Sequence, residues 1–232
     1  MTSRSVANLG KTGHTSAGLS PRTRWLLSCG ALVGPLFVTT FLVDGARRAD
    51  YHHHRHPVSS LALGPGGWKQ VANFAVAGGL CLGFAAGLSQ TEDGQPKTRL
   101  GPLLIASAGV GLLGAGTFIT DPFNGYPPGT PNLPASLSRS GQLHDLSAAQ
   151  ILLSMPAAQL LYAWRFARAG NRGWAAYSAG SAVTMIASAV IARAGFHQVP
   201  AVVDKSGSFQ RVAVITGFGW GSALAVRVLR RG

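Results

Sequence analysis

The sequence predicts an all-α, polytopic integral membrane protein: a six-helix transmembrane bundle with both termini cytoplasmic. Three observations carry this reading. Six apolar stretches, Trp25–Val43, Val71–Leu88, Leu100–Thr120, Leu146–Trp164, Gly173–Ala192 and Val212–Val226, contain no Asp, Glu, Lys or Arg. Only 12% of the 232 residues are charged, against about 25% in soluble domains. The charges all fall between the stretches, with Lys and Arg concentrated on alternate links. An apolar content of 47% excludes disorder of the chain as a whole, and a count of two cysteines excludes a disulfide scaffold. A net charge of +13 would ordinarily suggest nucleic acid. Confined to the links of a membrane protein, it reads as a topology signal, and no nucleic-acid partner is expected.

Residues 1–24 are rich in Ser, Thr and Gly without an apolar period, which predicts a disordered cytoplasmic tail preceding a transmembrane domain over 25–232. Spans are expected at about 25–43, 71–88, 100–120, 146–164, 173–192 and 212–229. A spanning helix needs about 20 mostly apolar residues, because the hydrocarbon core is about 30 Å thick and unpaired backbone groups there cost several kcal/mol. The first stretch is 19 residues long. That exceeds the roughly 7–15 residues of a signal-peptide core, so it reads as a retained span. Pro156 removes one hydrogen bond from the fourth span and is expected to kink it. The sixth stretch is short, but Arg227 can snorkel and Val228 and Leu229 extend it.

Small residues recur at every fourth position: Ala75, Gly79, Gly83 and Gly87 in span two; Gly180, Thr184, Ser188 and Ala192 in span five; Gly217, Gly221 and Ala225 in span six. Such stripes let backbones approach and read as helix contacts, with Asn73, Gln150 and Gln159 as hydrogen-bonding partners across helices. Trp25, Trp68, Trp164 and Trp174 lie at span ends, where an aromatic belt belongs. Cys29 and Cys81, within spans, read as small apolar side chains.

Orientation follows from basic residues, which cytoplasmic segments retain in excess. The tail, links 89–99 and 165–172, and the segment 227–232 hold 12 Lys or Arg; the longer links 44–70, 121–145 and 193–211 hold 8. The first set is therefore expected in the cytoplasm. The outer links then hold six of the seven His and five of the seven acids. A polar pocket is expected at the outer mouth.

Within those links, Asp121 and the His144-Asp145 pair abut spans three and four. A carboxylate beside an imidazole can orient a general base, so these three are the catalytic candidates. The same residues suit structural work: Asp145 with Ser147 reads as a helix N-cap, and Asp121-Pro122 as a helix end followed by a turn. Arg139 and Arg211 could receive an anionic head group. Tyr126, in the rigid segment Gly125-Tyr126-Pro127-Pro128-Gly129, could stack on a ligand or join the belt. Gln210 and Trp220 could line a pocket, Trp220 lying well inside its span. His52, His53 and His54 are weak metal candidates, since imidazole binds Zn, Cu or Ni but three adjacent residues do not preorganise a tetrahedral site. No His lies within a span, which disfavours haem ligation, and no cofactor is expected. The spans also lack the ionisable groups of a proton pump. Ser138-Arg139 upstream of His144 is similar to one motif of membrane lipid phosphatases, but the spacing differs and the other motifs are missing.

The strings His56-Pro57-Val58-Ser59-Ser60-Leu61-Ala62-Leu63-Gly64, Thr120-Asp121-Pro122, Gly125-Tyr126-Pro127-Pro128-Gly129, Gly141-Gln142-Leu143-His144-Asp145 and Gln210-Arg211 resemble the DUF998 family of bacterial and archaeal multi-span proteins, particularly its actinobacterial members. The resemblance covers nearly the whole chain after the tail and implies a six-helix membrane protein without an assigned reaction. The triple His52-His53-His54 departs from the family pattern. With the motif residues His56, Ser59 and Ser60, the candidate ligand-binding set is completed by Tyr126, Arg139, Gln210, Arg211 and Trp220. The function expected is non-enzymatic binding of a lipid, small amphiphile or protein partner at the outer mouth, in the plasma membrane. The alternative is a membrane-embedded hydrolase or metal-dependent enzyme using Asp121, His144 and Asp145.

Overall fold

The computed structural model describes residues 18–91 and 99–232. Six helices cover most of them: α1 Pro21–Arg47, α2 Trp68–Ser89, α3 Leu100–Thr117, α4 Arg139–Arg168, α5 Arg172–Phe196 and α6 Ser206–Leu229. Short 3-10 turns at Val58–Ala62 and Val203–Lys205 lie in the connections. All six helices are long and apolar enough to cross a membrane. The chain is a multi-pass membrane protein.

The helix ends are set by capping chemistry more than by where the apolar stretches stop. Ser20 accepts from the Thr23 N–H at 3.1 Å and Pro21 follows it, so α1 begins within the segment read as tail. The rest of that segment, 1–17, lies outside the described residues. Ser138 accepts from the Gly141 N–H at 3.0 Å and starts α4 two turns before its apolar stretch. This corrects the expected N-cap at Asp145 and Ser147, which lie inside the helix. Helix α3 ends at Thr117 rather than 120, because Phe118 turns extended. Helix α4 runs unbroken from Arg139 to Arg168 with Pro156 inside it.

Each helix packs on its sequence neighbours, and α6 packs back on α1, closing a ring of six. The Leu19 N–H meets the Gly232 carbonyl at 3.3 Å, so both described ends of the chain share one face. This is the terminal end; links 48–67, 118–138 and 197–205 occupy the other. The ring has a filled centre. Phe37 packs at 5.7 Å from Phe41, 5.6 Å from Phe74 and 5.0 Å from Phe218, while Leu112, Met155, Met185 and Trp220 complete the core.

Glycines make the seams, but only partly as the fourth-position spacing suggests. A Cβ on Gly83 would lie 3.0 Å from Cys29 Sγ, and one on Gly87 2.9 Å from the Leu27 backbone, so these two do pack on α1. Gly79 and Gly180 face open space, and Gly78 makes the α2–α3 approach instead. The α1–α6 seam is built on Gly30 and Gly34, bridged by Ser222. Its hydroxyl accepts from the Gly34 N–H at 3.1 Å and donates to the Gly30 carbonyl at 2.9 Å. Each helix in a ring has two neighbours, and spacing alone does not say in which direction they lie. Asn73 donates to the Phe37 carbonyl and Gln150 to the Ser107 carbonyl, joining helices as expected. Gln159 does not: both of its amide atoms are buried without a hydrogen-bond partner among the described residues.

Candidate functional site

The three links opposite the terminal end knit into one polar layer, here termed the lid. Arg55 joins all three, donating to Asp204 Oδ1 at 2.5 Å, to Asn132 Oδ1 at 3.1 Å and to the Asn124 carbonyl at 3.4 Å. Asn124 and Gly125 adopt positive φ values of 58° and 78° between Phe123 and Tyr126. This is the tight turn that Asn-Gly favours. The turn buries the Asn124 side chain, which donates to the Arg55 carbonyl at 3.1 Å and accepts from Gln198.

Beneath this layer sits Arg211, on the second turn of α6 and only 8% exposed. Its Nη1 donates to the carbonyls of His53 at 2.5 Å, Gly207 at 2.9 Å and His56 at 3.1 Å, and Nη2 to the Tyr51 hydroxyl at 2.6 Å. Tyr51 in turn donates to the Pro57 carbonyl at 2.9 Å. Burial pushes the Tyr51 phenol up to about 12 despite the pull of Arg211, so it is a neutral partner. Tyr51, His56 and Tyr126 pack as three rings with centroids 5.2–5.5 Å apart. Gln210 accepts from the Val58 N–H at 2.7 Å. The lid therefore brings together four members of the sequence-derived binding set: His56, Tyr126, Gln210 and Arg211.

The other members lie apart. Ser60 is fully buried in the 3-10 turn and its hydroxyl has no hydrogen-bond partner among the described residues; Ser59 is half-buried and Arg139 exposed. Trp220 is buried among helices, donating to Ser178 Oγ at 3.0 Å and packing on Tyr162, which makes it a packing residue.

Two of the three catalytic candidates, His144 and Asp121, serve helix ends. His144 is 3% exposed, with Nδ1 at 2.8 Å from the Phe118 carbonyl and 3.1 Å from the Ala115 carbonyl. Two carbonyls around one nitrogen make Nδ1–H the donor, and the ring closes the end of α3. Asp121 accepts from the Ser138 N–H at 2.7 Å and its carboxylate lies against Gly141, at the N-terminus of α4. An anion there is favoured by the orphan N–H groups and the helix dipole. Asp145 is exposed on α4. His54 bonds to Ser208 at 2.8 Å, and among the described residues no group of three His, Cys, Asp or Glu is placed to hold a metal ion.

The pattern of the DUF998 family, described as a protein of unknown function, matches residues 31–227. The chain belongs to the DUF998 family. The match runs from the middle of α1 to the last turn of α6 and takes in the whole lid. No curated protein and no solved structure matches the chain.

Several structural residues of this DUF998 protein escaped the sequence reading. Asp44, buried at the end of α1, is held by Arg48 at 2.9 Å and Lys69 at 3.3 Å, while Arg48 also donates to the Leu63 carbonyl at 2.8 Å. The Asp44–Arg48 spacing of four was the available signal. For Asn124 it was the Asn-Gly dipeptide.

Burial, with His52 and Arg55 adding to it, pushes the His56 imidazole down from 6.5 to about 4. An unfolded lid segment takes up that proton near 6.5, the folded lid only near 4. Stability from His56 is therefore fully present above pH 6.5 and is lost as the pH falls through this window. Amide protection of residues 51–63 is expected to be weaker at pH 5 than at pH 7, and His56→Asn to remove most of that difference. Equal protection at both pH values would refute the assignment.

At the opposite end, where the sequence did not place a pocket, cavities open among the described residues. One, of about 590 Å³, is lined by Tyr162, Arg165, Phe166, Asn171, Arg227 and Arg231 among others. The second, of about 420 Å³, runs between α1 and α6 beside Trp174. The guanidinium of Arg227 lines both, stacked 4.6 Å from Trp174 and 4.9 Å from Phe166.

Proposed function

We propose that this DUF998 protein is a non-enzymatic plasma-membrane protein, with cytoplasmic termini, that binds a lipid or small amphiphile bearing negative charge beneath the lid. The charge of Arg211 carries the reading. The side chain is buried, and among the described residues its hydrogen-bond partners are carbonyls and a phenol and Nε has none. A buried guanidinium without a counter-ion costs several kcal/mol, and a ligand carboxylate or phosphate offsets that through a charge-assisted pair. The orientation rests on the denser Lys and Arg content of the terminal-end links. An enzyme using Asp121, His144 and Asp145 has less support, because His144 and Asp121 are engaged at helix ends.

The test is extraction of the full chain from its native membrane in mild detergent, followed by mass spectrometry of what it carries. Wild-type protein is expected to hold an anionic amphiphile, with occupancy at least tenfold lower in Arg211→Gln and intermediate in Arg211→Lys. An empty wild-type protein, or equal occupancy in Arg211→Gln, would overturn the proposal.

A further inference from the structure

The link between α3 and α4 differs in composition from the other two that build the lid. Residues 122–138 contain no Asp, Glu, Lys, Arg or His, whereas link 48–67 carries Arg48, Asp50 and Arg55, and link 197–205 carries Asp204 and Lys205. The first part of this uncharged link is folded into the lid, with Asn124 and Tyr126 buried and Asn132 bonded to Arg55 at 3.1 Å. The next five residues, 133–137, turn outward. Pro134 is half-buried and the other four are exposed, Leu133 at 48% and Leu137 at 44%. Two leucines so exposed, with no charge beside them in the segment, form an apolar patch of the kind that meets a partner or a membrane. The N–H groups of Leu133, Ala135, Ser136 and Leu137 make no hydrogen bond among the described residues, which excludes the water-free hydrocarbon as their surroundings.

The far end of the segment is fixed beside lipid. The Ser138 N–H donates to Asp121 at 2.7 Å and the Ser140 hydroxyl to the Ile119 carbonyl at 2.8 Å, so the chain returns to the end of α3. Ile119 is exposed there, and Leu146, two turns into α4, is 66% exposed. Both belong to the uncharged stretches of spans three and four, where lipid covers exposed side chains. We propose that residues 133–137 are an interfacial anchor, with Leu133, Ala135 and Leu137 set among the head groups and upper acyl carbons of the leaflet on the lid side. The patch then continues the lipid contact of Ile119 and Leu146, and the free N–H groups meet water and head-group oxygens at that depth. This continuity favours the bilayer over a protein partner. Through Asn132 and Arg55 the anchor ties the lid to the membrane, independently of what Arg211 binds.

The full chain, with Cys29 and Cys81 replaced by Ala, carries a nitroxide on Ala135→Cys or, as the aqueous reference, on His53→Cys, an exposed lid position whose carbonyl meets Arg211. In phosphatidylcholine vesicles, power-saturation electron paramagnetic resonance compares collisions with oxygen, which concentrates in lipid, and with a neutral nickel chelate, which stays in water. The oxygen-to-nickel ratio is expected to be about threefold higher at position 135 than at position 53, since interfacial segments sit about 5–10 Å into the head-group boundary. Leu133→Ser with Leu137→Ser should bring the ratio at 135 down to that at 53, at an unchanged melting temperature. Ser136→Cys serves if a label at 135 disturbs folding. Equal ratios at the two positions, a label closed to both reagents as under a protein partner, or a ratio at 135 unmoved by the double substitution would overturn the proposal.

Discussion

Gly34→Leu is expected to prevent α6 from docking on α1. A Cβ at this position would lie 2.6 Å from the Ser222 hydroxyl and 2.8 Å from the Phe218 carbonyl oxygen. The hydroxyl can rotate away; the backbone oxygen cannot move without shifting α6. Gly34→Ala should therefore cost about 2 kcal/mol, as overpacked interiors do. Leucine places further atoms in the same space and should exceed about 4 kcal/mol, the range in which a named steric fault dominates. Thermal melting in detergent micelles measures both, and a cysteine pair across the α1–α6 seam should no longer crosslink in the leucine variant. Gly180→Ala is the control. Nothing lies within 4 Å of its Cβ, so the change should be neutral or stabilising by about 0.5–1 kcal/mol through helix propensity. A Gly34→Leu protein that melts with the wild type would disprove the seam.

His144→Ala is expected to destabilise the protein by about 3 kcal/mol without altering the lipids around it. The substitution leaves the Phe118 and Ala115 carbonyls without their shared donor in a buried site, and each unsatisfied group costs about 1–3 kcal/mol. It also empties the space where the imidazole meets the Phe74 ring edge to face, at 6.2 Å. His144→Asn, which can still donate one hydrogen bond, should recover part of the loss. If His144 were instead a general base, the alanine variant would keep its stability and change membrane lipid composition. The two readouts separate the roles.

These cases show which parts of the molecule can be read from the chain. The spans were legible because the hydrocarbon core demands long uncharged runs. The start of α4 was not, since its first two turns are polar and depend on Ser138 and on Asp121, the latter 17 residues away from its bonding partner. A helix-end role was considered for Asp121 but not for His144, and the helix each one serves was hidden. His144 closes α3 from a place on α4, and Asp121 caps α4 from beyond the end of α3. Arg211 was recognisable as a possible receiver of an anionic head group, whereas two of its three carbonyl partners, His53 and His56, lie about 155 residues earlier in the lid. The loop network of Arg55, Asn124 and Gln198 joins three links that carry no shared spacing. Such pairings exist only once the ring has closed.

That closure has a consequence for how the chain is made. The α1–α6 seam joins a helix that emerges early from the ribosome with one about 190 residues later, and contacts of such separation form late. Until α6 inserts, the Gly34 face of α1, whose near neighbours Ser222 and Phe218 both belong to α6, has only lipid or another chain to lie against. During synthesis α1 is thus an open edge of the assembly, and the interval before α6 arrives is when a foreign helix could take its place.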